Sequence, residues 1–252
     1  MAEQDEVSEL IKRKMGQIKK KIAVMSGKGG VGKSTISALL AVHLAKKGFM
    51  VGLLDADFLG PSIPKLFGME RKKPLSSIDG IDPVLSTKYA IRIMSIQFMT
   101  PDGVAVIWRG PMISKVLRDY LAHVSWGRLD YLIVDMPPGT GDVPITVMQE
   151  IDLDGVIMVA TPHDLTASVV ERAINMARTM NTEVLGIVEN MSYFKCPDCG
   201  RIAKFGRGSE LLARKYGLKI IAKIPLEEKL SAYCESGLIE EYGEDHFRDF
   251  IP

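Results

Sequence analysis

The stretch GKGGVGKST, from Gly27 to Thr35, constrains this chain more than any other part of it. It follows an apolar run, KIAVMS, and opens a helical pattern, KSTISALLAVHLAKKG. Glycines in that position let the backbone turn tightly and aim successive N–H groups at phosphate oxygens. The helix N-terminus adds its partial positive charge. Gly27, Lys28, Gly29, Gly30, Val31 and Gly32 therefore read as a cradle for a nucleotide's phosphates. Lys33 is placed to neutralise the β- and γ-phosphate oxygens, Ser34 to hold Mg²⁺ through its hydroxyl, and Thr35 to reach the α-phosphate. Strand, loop and helix in this order belong to an α/β architecture.

The rest of the chain keeps the same rhythm. Apolar runs recur as MVGLLDAD, YLIVDMP, DGVIMVATP, EVLGIVEN and KIIAKIP, with helical patterns such as DLTASVVERAINMARTM between most of them. Runs without strict alternation, separated by helices, predict a parallel sheet covered on both faces. Right-handed crossovers then give a doubly wound, mostly parallel sheet with helices on both faces. A chain of 252 residues, 46% of them hydrophobic, suits one large domain. We place that domain at residues 21–252. Residues 1–20 read as a charged helix or extension, with Val7, Leu10, Ile11, Met15 and Ile18 along one side. Such a helix docks on its own domain or frays, or else meets a membrane surface or a partner.

Composition narrows the setting. A net charge of +1 gives no overall field to recruit nucleic acid, so no nucleic-acid partner is expected. No apolar run is long enough to span a bilayer, and the C-terminal stretch LIEEYGEDHFRDFIP is too acidic to favour anionic membranes. The N-terminal MAEQDEVSEL lacks the basic-then-apolar pattern of a secretory signal. Cys196, Cys199 and Cys234 are too few for a disulfide framework, so a cytoplasmic setting with reduced thiols is expected.

Acidic residues close the later strands, where ligands sit in open α/β sheets. Asp55 and Asp57, in LLDAD, point to one side by alternation. One is suited to a Mg²⁺-bound water and the other to the attacking water, with a turn or capping role for Asp55 as the competing reading. Asp135, in YLIVDMPPGTGD, is the expected Mg²⁺-linked carboxylate, and the glycine-punctuated loop to Asp142 is able to sense the γ-phosphate. Lys28 is a lysine that a plain phosphate loop does not need. It is either a solvated surface residue or a second cation for the phosphates, supplied to a neighbouring subunit.

One motif stands apart. YFKCPDCGR, within a predicted exposed loop at 190–208, puts Cys196 and Cys199 at the spacing of half a metal site. A thiolate-bound zinc or iron–sulfur cluster takes four protein ligands. If the loop lies on a two-fold axis, two copies of the chain complete the set. An iron–sulfur cluster, zinc and a redox dithiol all remain open on the residues alone.

Beyond the phosphate loop, the stretches DADFLGPSIPKLFG, VIWRGPM, WGRLDYLIVDMPPGTGD, GIVENMSYFKCPDCG and IAKIPL occur in order from about residue 20 to 240. Together with GKGGVGKST they resemble the Mrp/ApbC-type iron–sulfur carriers within the MinD/ParA/nitrogenase-iron-protein class of dimeric ATPases. The resemblance implies a homodimeric, slowly hydrolysing ATPase. It would bind ATP, Mg²⁺ and a bridging [4Fe–4S] cluster, and exchange that cluster with donors and apoproteins. It implies that Lys28 reaches the partner's nucleotide, that Asp57 orients the hydrolytic water and that Asp135 is linked to Mg²⁺. It also implies that Asn190 recognises adenine, that Pro225 lies in the loop flanking the base, and that Cys196 and Cys199 bind the cluster. His163, in ATPHD, and Cys234 depart from the pattern. The rival readings are a MinD/ParA-like spatial regulator and a nucleotide switch with structural zinc.

Overall fold

A computed structural model describes residues 2–99, 110–162 and 167–252. His163 and residues 106–109 of the VIWRGPM stretch lie outside the described residues. In chain order the elements are α1 (Ala2–Met15), β1 (Ile18–Ser26), α2 (Lys33–Lys46), β2 (Val51–Asp55), α3 (Ile63–Leu66), β3 (Leu75–Ser77), β4 (Gly80–Asp82), β5 (Val84–Leu85) and β6 (Arg92–Ser95). They continue with α4 (Gly110–His123), β7 (Leu129–Asp135), α5 (Asp142–Glu150), β8 (Gly155–Ala160), α6 (Ala167–Thr179), β9 (Val184–Glu189), β10 (Tyr193–Lys195), β11 (Ile202–Lys204), α7 (Gly208–Tyr216), β12 (Ile220–Lys223) and α8 (Glu228–Glu235).

Among the described residues, eight strands form the main sheet in the order β12-β9-β8-β1-β7-β2-β6-β5. Every neighbouring pair runs parallel except β5 with β6, which makes the sheet mostly parallel. The central strands are buried on both faces: every residue of β2 and β8 is buried, as are Ile22–Ser26 of β1. That explains why these runs do not alternate in the sequence. β1 lies between β7 and β8, so the chain moves to opposite sides of β1 as it winds, and a crevice opens at the strands' C-terminal ends. Register puts Asp55 of β2 directly beside Asp135 of β7 at that crevice.

α1 lies against α4 and α5. Its Ile11 and Met15 are buried in the core, and Arg118 of α4 donates to the Ser8 hydroxyl at 2.7 Å. β1 already takes in Ile18–Lys20, so the sheet begins inside the segment read as an extension. At the other end, the C-terminal segment packs on α2 through buried Phe247 and Phe250. The buried ring of His43 holds it, pairing with Asp245 at 2.7 Å and with the carbonyl of Phe250 at 3.1 Å. The segment at 190–208 is more ordered than a loop: β10 and β11 pair as a small antiparallel hairpin ahead of α7. Strands of three residues are too short to leave a periodic signal in sequence.

Candidate functional site

The loop between β1 and α2 lines a cleft of about 300 Å³ with Ser26, Lys28, Gly29, Gly30, Gly32, Lys33, Ser34, Thr35, Asp57 and Gly60. Gly32 ends the loop at φ 80°, in the left-handed region that glycine tolerates. A Cβ there would also lie 2.2 Å from the Asn190 amide nitrogen, so no side chain fits. A Cβ on Gly29 or Gly30 would meet nothing within 4 Å, so the backbone on that side faces open space. An arrangement of this kind fits a nucleotide's phosphates: bare backbone, a lysine and the start of a long helix.

Asp135 anchors the floor of the cleft. It is fully buried, and the equally enclosed Lys33 ammonium lies 2.7 Å from its Oδ1. The Ser34 hydroxyl donates to Oδ2 at 2.6 Å, and the Ser37 hydroxyl donates to Oδ1 at 2.7 Å. Ser37 follows Lys33 by one helical turn and shares its face. That spacing is a signal the sequence reading passed over. A serine hydroxyl beside a buried carboxylate also suits Mg²⁺, which takes oxygen ligands.

Asp55 and Asp57 have different surroundings despite their shared side of the strand. Asp55 is 1% exposed. Its Oδ2 accepts from the Ser95 hydroxyl at 3.0 Å and from the backbone N–H groups of Ser62 and Ile63 at 3.2 and 3.3 Å. Burial, reinforced by the Asp135 charge, pushes its carboxyl up to about 7, with Lys33 pulling the other way. Ser95 ends β6, and only the sheet order brings it to Asp55, so no local signal betrays it. Asp57 is half-buried at the cleft wall, where its Oδ1 accepts from the Gly60 N–H at 3.2 Å. Asp57 therefore faces the phosphate cleft, and Asp55 supports the turn that leads away from it.

Lys28 is exposed on the cleft's rim, and its carbonyl accepts from the Ser26 hydroxyl at 2.9 Å. The Thr35 hydroxyl lies 4.0 Å from the sulfur of Cys234 on α8. Burial raises that thiol above its ordinary range, so Cys234 behaves as a neutral packing group at neutral pH.

Asn190 is buried at the end of β9, and its amide donates to the Val31 carbonyl at 2.8 Å. That bond ties the phosphate loop to the segment carrying the thiols. The next residues continue the link: Ser192 N–H donates to the Ile224 carbonyl at 2.8 Å, and Leu226 N–H donates to the Tyr193 carbonyl at 2.8 Å. Buried Pro225 sits between those two contacts. The loop holding Pro225 is thus stitched to the root of the β10–β11 hairpin.

The hairpin tip is a thiol knuckle. Cys196 N–H donates to the Arg201 carbonyl, and Gly200 N–H donates back to the Cys196 carbonyl, each at 2.9 Å. Backbone N–H groups of Cys199 and then Asp198 point at the Cys196 sulfur and, with the Cys199 thiol, lower its pKa. Both thiols are free. Among the described residues, no third cysteine, histidine or carboxylate comes within 4.8 Å of both. The pair is a preformed half-set of soft ligands suited to zinc or an iron–sulfur cluster.

Comparison with known proteins agrees with this geometry. An iron–sulfur cluster carrier protein of Methanocaldococcus jannaschii is 46% identical over 232 residues, covering 90% of this chain and 80% of that protein. A nucleotide-binding protein of Archaeoglobus fulgidus, solved in complex with ADP and with cobalt found in it, superposes with a TM-score of 0.88. It is 50% identical and covers 97% of each chain. The cell division ATPase MinD of Pyrococcus furiosus shares the fold alone, at 17% identity, a TM-score of 0.65 and coverage of 89% and 91%. The sequence model of the NUBPL iron-transfer P-loop NTPases matches residues 17–248, so this chain belongs to that family and to its Mrp/ApbC-type iron–sulfur carriers.

Proposed function

We propose that this chain is a homodimeric, slowly hydrolysing ATPase that holds a bridging [4Fe–4S] cluster and passes it to apoproteins. The observation that carries this reading is the thiol knuckle. Cys196 and Cys199 are exposed or half-exposed, one thiol is acidified, and a single chain brings two cysteine ligands where a cluster needs about four. Cys234 packs against Thr35 and the core, leaving a second copy of the hairpin as the source of the missing pair. The cluster is then cargo held in common, and a solvent-exposed position favours its handover to an acceptor. The Methanocaldococcus relative's name and the ADP in the Archaeoglobus structure support both halves of the reading.

In the nucleotide half, N–H groups from Gly27 to Thr35 cradle the phosphates of ATP and Lys33 neutralises them. Ser34 and Asp135 would hold Mg²⁺, which when bound would supply positive charge against the developing phosphate charge. Asp57, on the cleft wall, orients the water that attacks the γ-phosphorus as ADP leaves. Lys28 reaches the partner's nucleotide, and the Pro225 loop flanks the base, with Asn190 beside it. The hydrogen bonds from Asn190 to Val31 and from Leu226 to Tyr193 provide a short physical route from nucleotide to thiols. If nucleotide and cluster each bind two arrangements of this route unequally, the nucleotide changes cluster affinity by the same factor as the cluster changes nucleotide affinity. The setting is a cytoplasm where thiols stay reduced, with cluster donors upstream and apoproteins downstream.

Anaerobic reconstitution with iron and sulfide tests the carrier assignment. The expected result is a visible charge-transfer band at one cluster per two chains, co-eluting with a dimer and absent in Cys196→Ala. Zinc retained without such a band would replace the carrier with a switch built on structural zinc. ATP-dependent sedimentation with liposomes or DNA would instead favour the spatial regulator. Lys28→Ala is expected to spare nucleotide binding while lowering turnover; equal loss of both sinks the trans role of that lysine.

A further inference from the structure

Away from the cleft and the hairpin, Glu227, Glu244 and His246 converge. One donor atom from each lies within 4.8 Å of the others, and no other such trio occurs among the described residues. Glu227 immediately precedes α8 and follows the Pro225 loop, whereas Glu244 and His246 lie in the C-terminal segment. The Tyr242 hydroxyl joins the group, contacting Glu227 Oε1 and lying 2.8 Å from His246 Nε2. The His246 ring stacks on Tyr242 with centroids 5.8 Å apart.

Three further features suit a cation there. His246 has a side chain only 12% exposed, so its ring is held in place beside the two carboxylates. A cavity of about 10 Å³ adjoins Glu244 and His246 though not Glu227, with Tyr242 and Lys46 also on its walls, and gives these two side chains room to shift. Lys46 is held by the Tyr242 carbonyl at 3.1 Å. Between residues 227 and 249 the basic side chains besides His246 are Lys229 and Arg248, against a majority of carboxylates.

We propose that Glu227, Glu244 and His246 bind a divalent first-row transition metal of the zinc, cobalt or nickel kind, separate from the cargo of the thiols. One imidazole with two carboxylates matches these ions better than calcium or magnesium, which take oxygen alone, or a cluster, which takes sulfur. Metal–ligand bonds of about 2.0–2.2 Å put ligand atoms at most ~4.4 Å apart, so a small contraction closes the site. Glu244, with its side chain 50% exposed, is free to make it. Tyr242 then acts as the outer hydrogen-bonding partner that orients the ligands. The bound ion clamps the start of α8 to the segment that His43 fastens on α2.

The test uses the full chain carrying Cys196→Ser and Cys199→Ser, in excess magnesium, so that neither the thiols nor the phosphate site confuses the reading. Zinc titrated by calorimetry is expected to bind at one ion per chain and to raise the unfolding midpoint. His246→Gln and Glu244→Gln are each expected to weaken binding at least about 10-fold. Tyr242→Phe keeps the three ligands and is expected to keep the stoichiometry. The exposed Glu244 makes Glu244→Gln decisive even if His246→Gln folds poorly. No binding in the Cys196→Ser, Cys199→Ser protein, or several weak sites indifferent to both substitutions, overturns the proposal. Because Cys196 and Cys199 are already replaced, neither outcome bears on the cluster assignment.

Discussion

The phosphate cleft and the thiol hairpin are built on opposite principles. In the cleft, one buried carboxylate, Asp135, gathers an ammonium and two hydroxyls from α2, and every partner comes from the same chain. In the hairpin, two three-residue strands stand in solvent with Phe194 and Ile202 exposed, and the ligand set stops at a pair. The first region is finished by folding. The second has its geometry set by folding, and in the proposed carrier a second chain completes its ligand set. On the proposed reading, the nucleotide is held by a site built into the core and the cluster by an exposed tip from which it can be handed on.

The contrast is broken most forcefully at Lys33. Lys33→Ala strands the Asp135 charge in the interior, and removing one partner of a buried ion pair costs about 3–5 kcal/mol. Urea denaturation should show that loss alongside abolished ATP binding. Asp135→Asn added to Lys33→Ala removes the stranded charge and should restore part of the stability without restoring binding. A single variant as stable as the parent would mean that the pair adds nothing to the fold and that the cleft resembles the hairpin after all.

A smaller effect sharpens the same point at Asp55. Its carboxyl titrates at about 7 in the fold, against 3.8 for the ordinary group, because burial and then Asp135 resist its charge. The folded state thus keeps a proton that the unfolded chain releases, so this residue's contribution falls as pH rises from about 4 to 7. The cost is of order a few kcal/mol, moderated by the bonds from Ser95, Ser62 and Ile63. Denaturation in a chelator across that window should show parent stability falling relative to Asp55→Asn as pH rises. Parallel curves for the two proteins would show that the carboxyl ionises freely and that the crevice is wetter than its burial indicates.

What the sequence disclosed follows the same division. GKGGVGKST was legible because glycine, lysine and serine have local reasons to stand between a strand and a helix. The parallel sheet was legible because Val24, Ile133 and Ile157 belong to runs buried on both faces. Ser95 beneath Asp55 and Cys234 beside Thr35 were not, since each meets its partner only through strand order or helix docking. The hairpin was read as a loop, as three-residue strands carry no period. Glu227, Glu244 and His246 escaped notice because a turn and the length of α8 separate residues that folding brings together.

The smallest expected effect is the most telling. Cys196→Ser with Cys199→Ser changes two atoms at the hairpin tip; the bonds from Cys196 N–H to the Arg201 carbonyl and from Gly200 N–H to the Cys196 carbonyl remain, and a serine oxygen in place of the Cys196 sulfur can still accept from the N–H groups aimed at it. Substitutions of this kind shift stability by no more than about 0.5 kcal/mol. The metal-free protein should therefore unfold at the same urea concentration as its parent, with nucleotide affinity unchanged, while every trace of cluster binding disappears. A loss of several times that size would mean the thiols hold the hairpin together themselves. The knuckle would then be a structural element of one chain rather than half of a site waiting for a second.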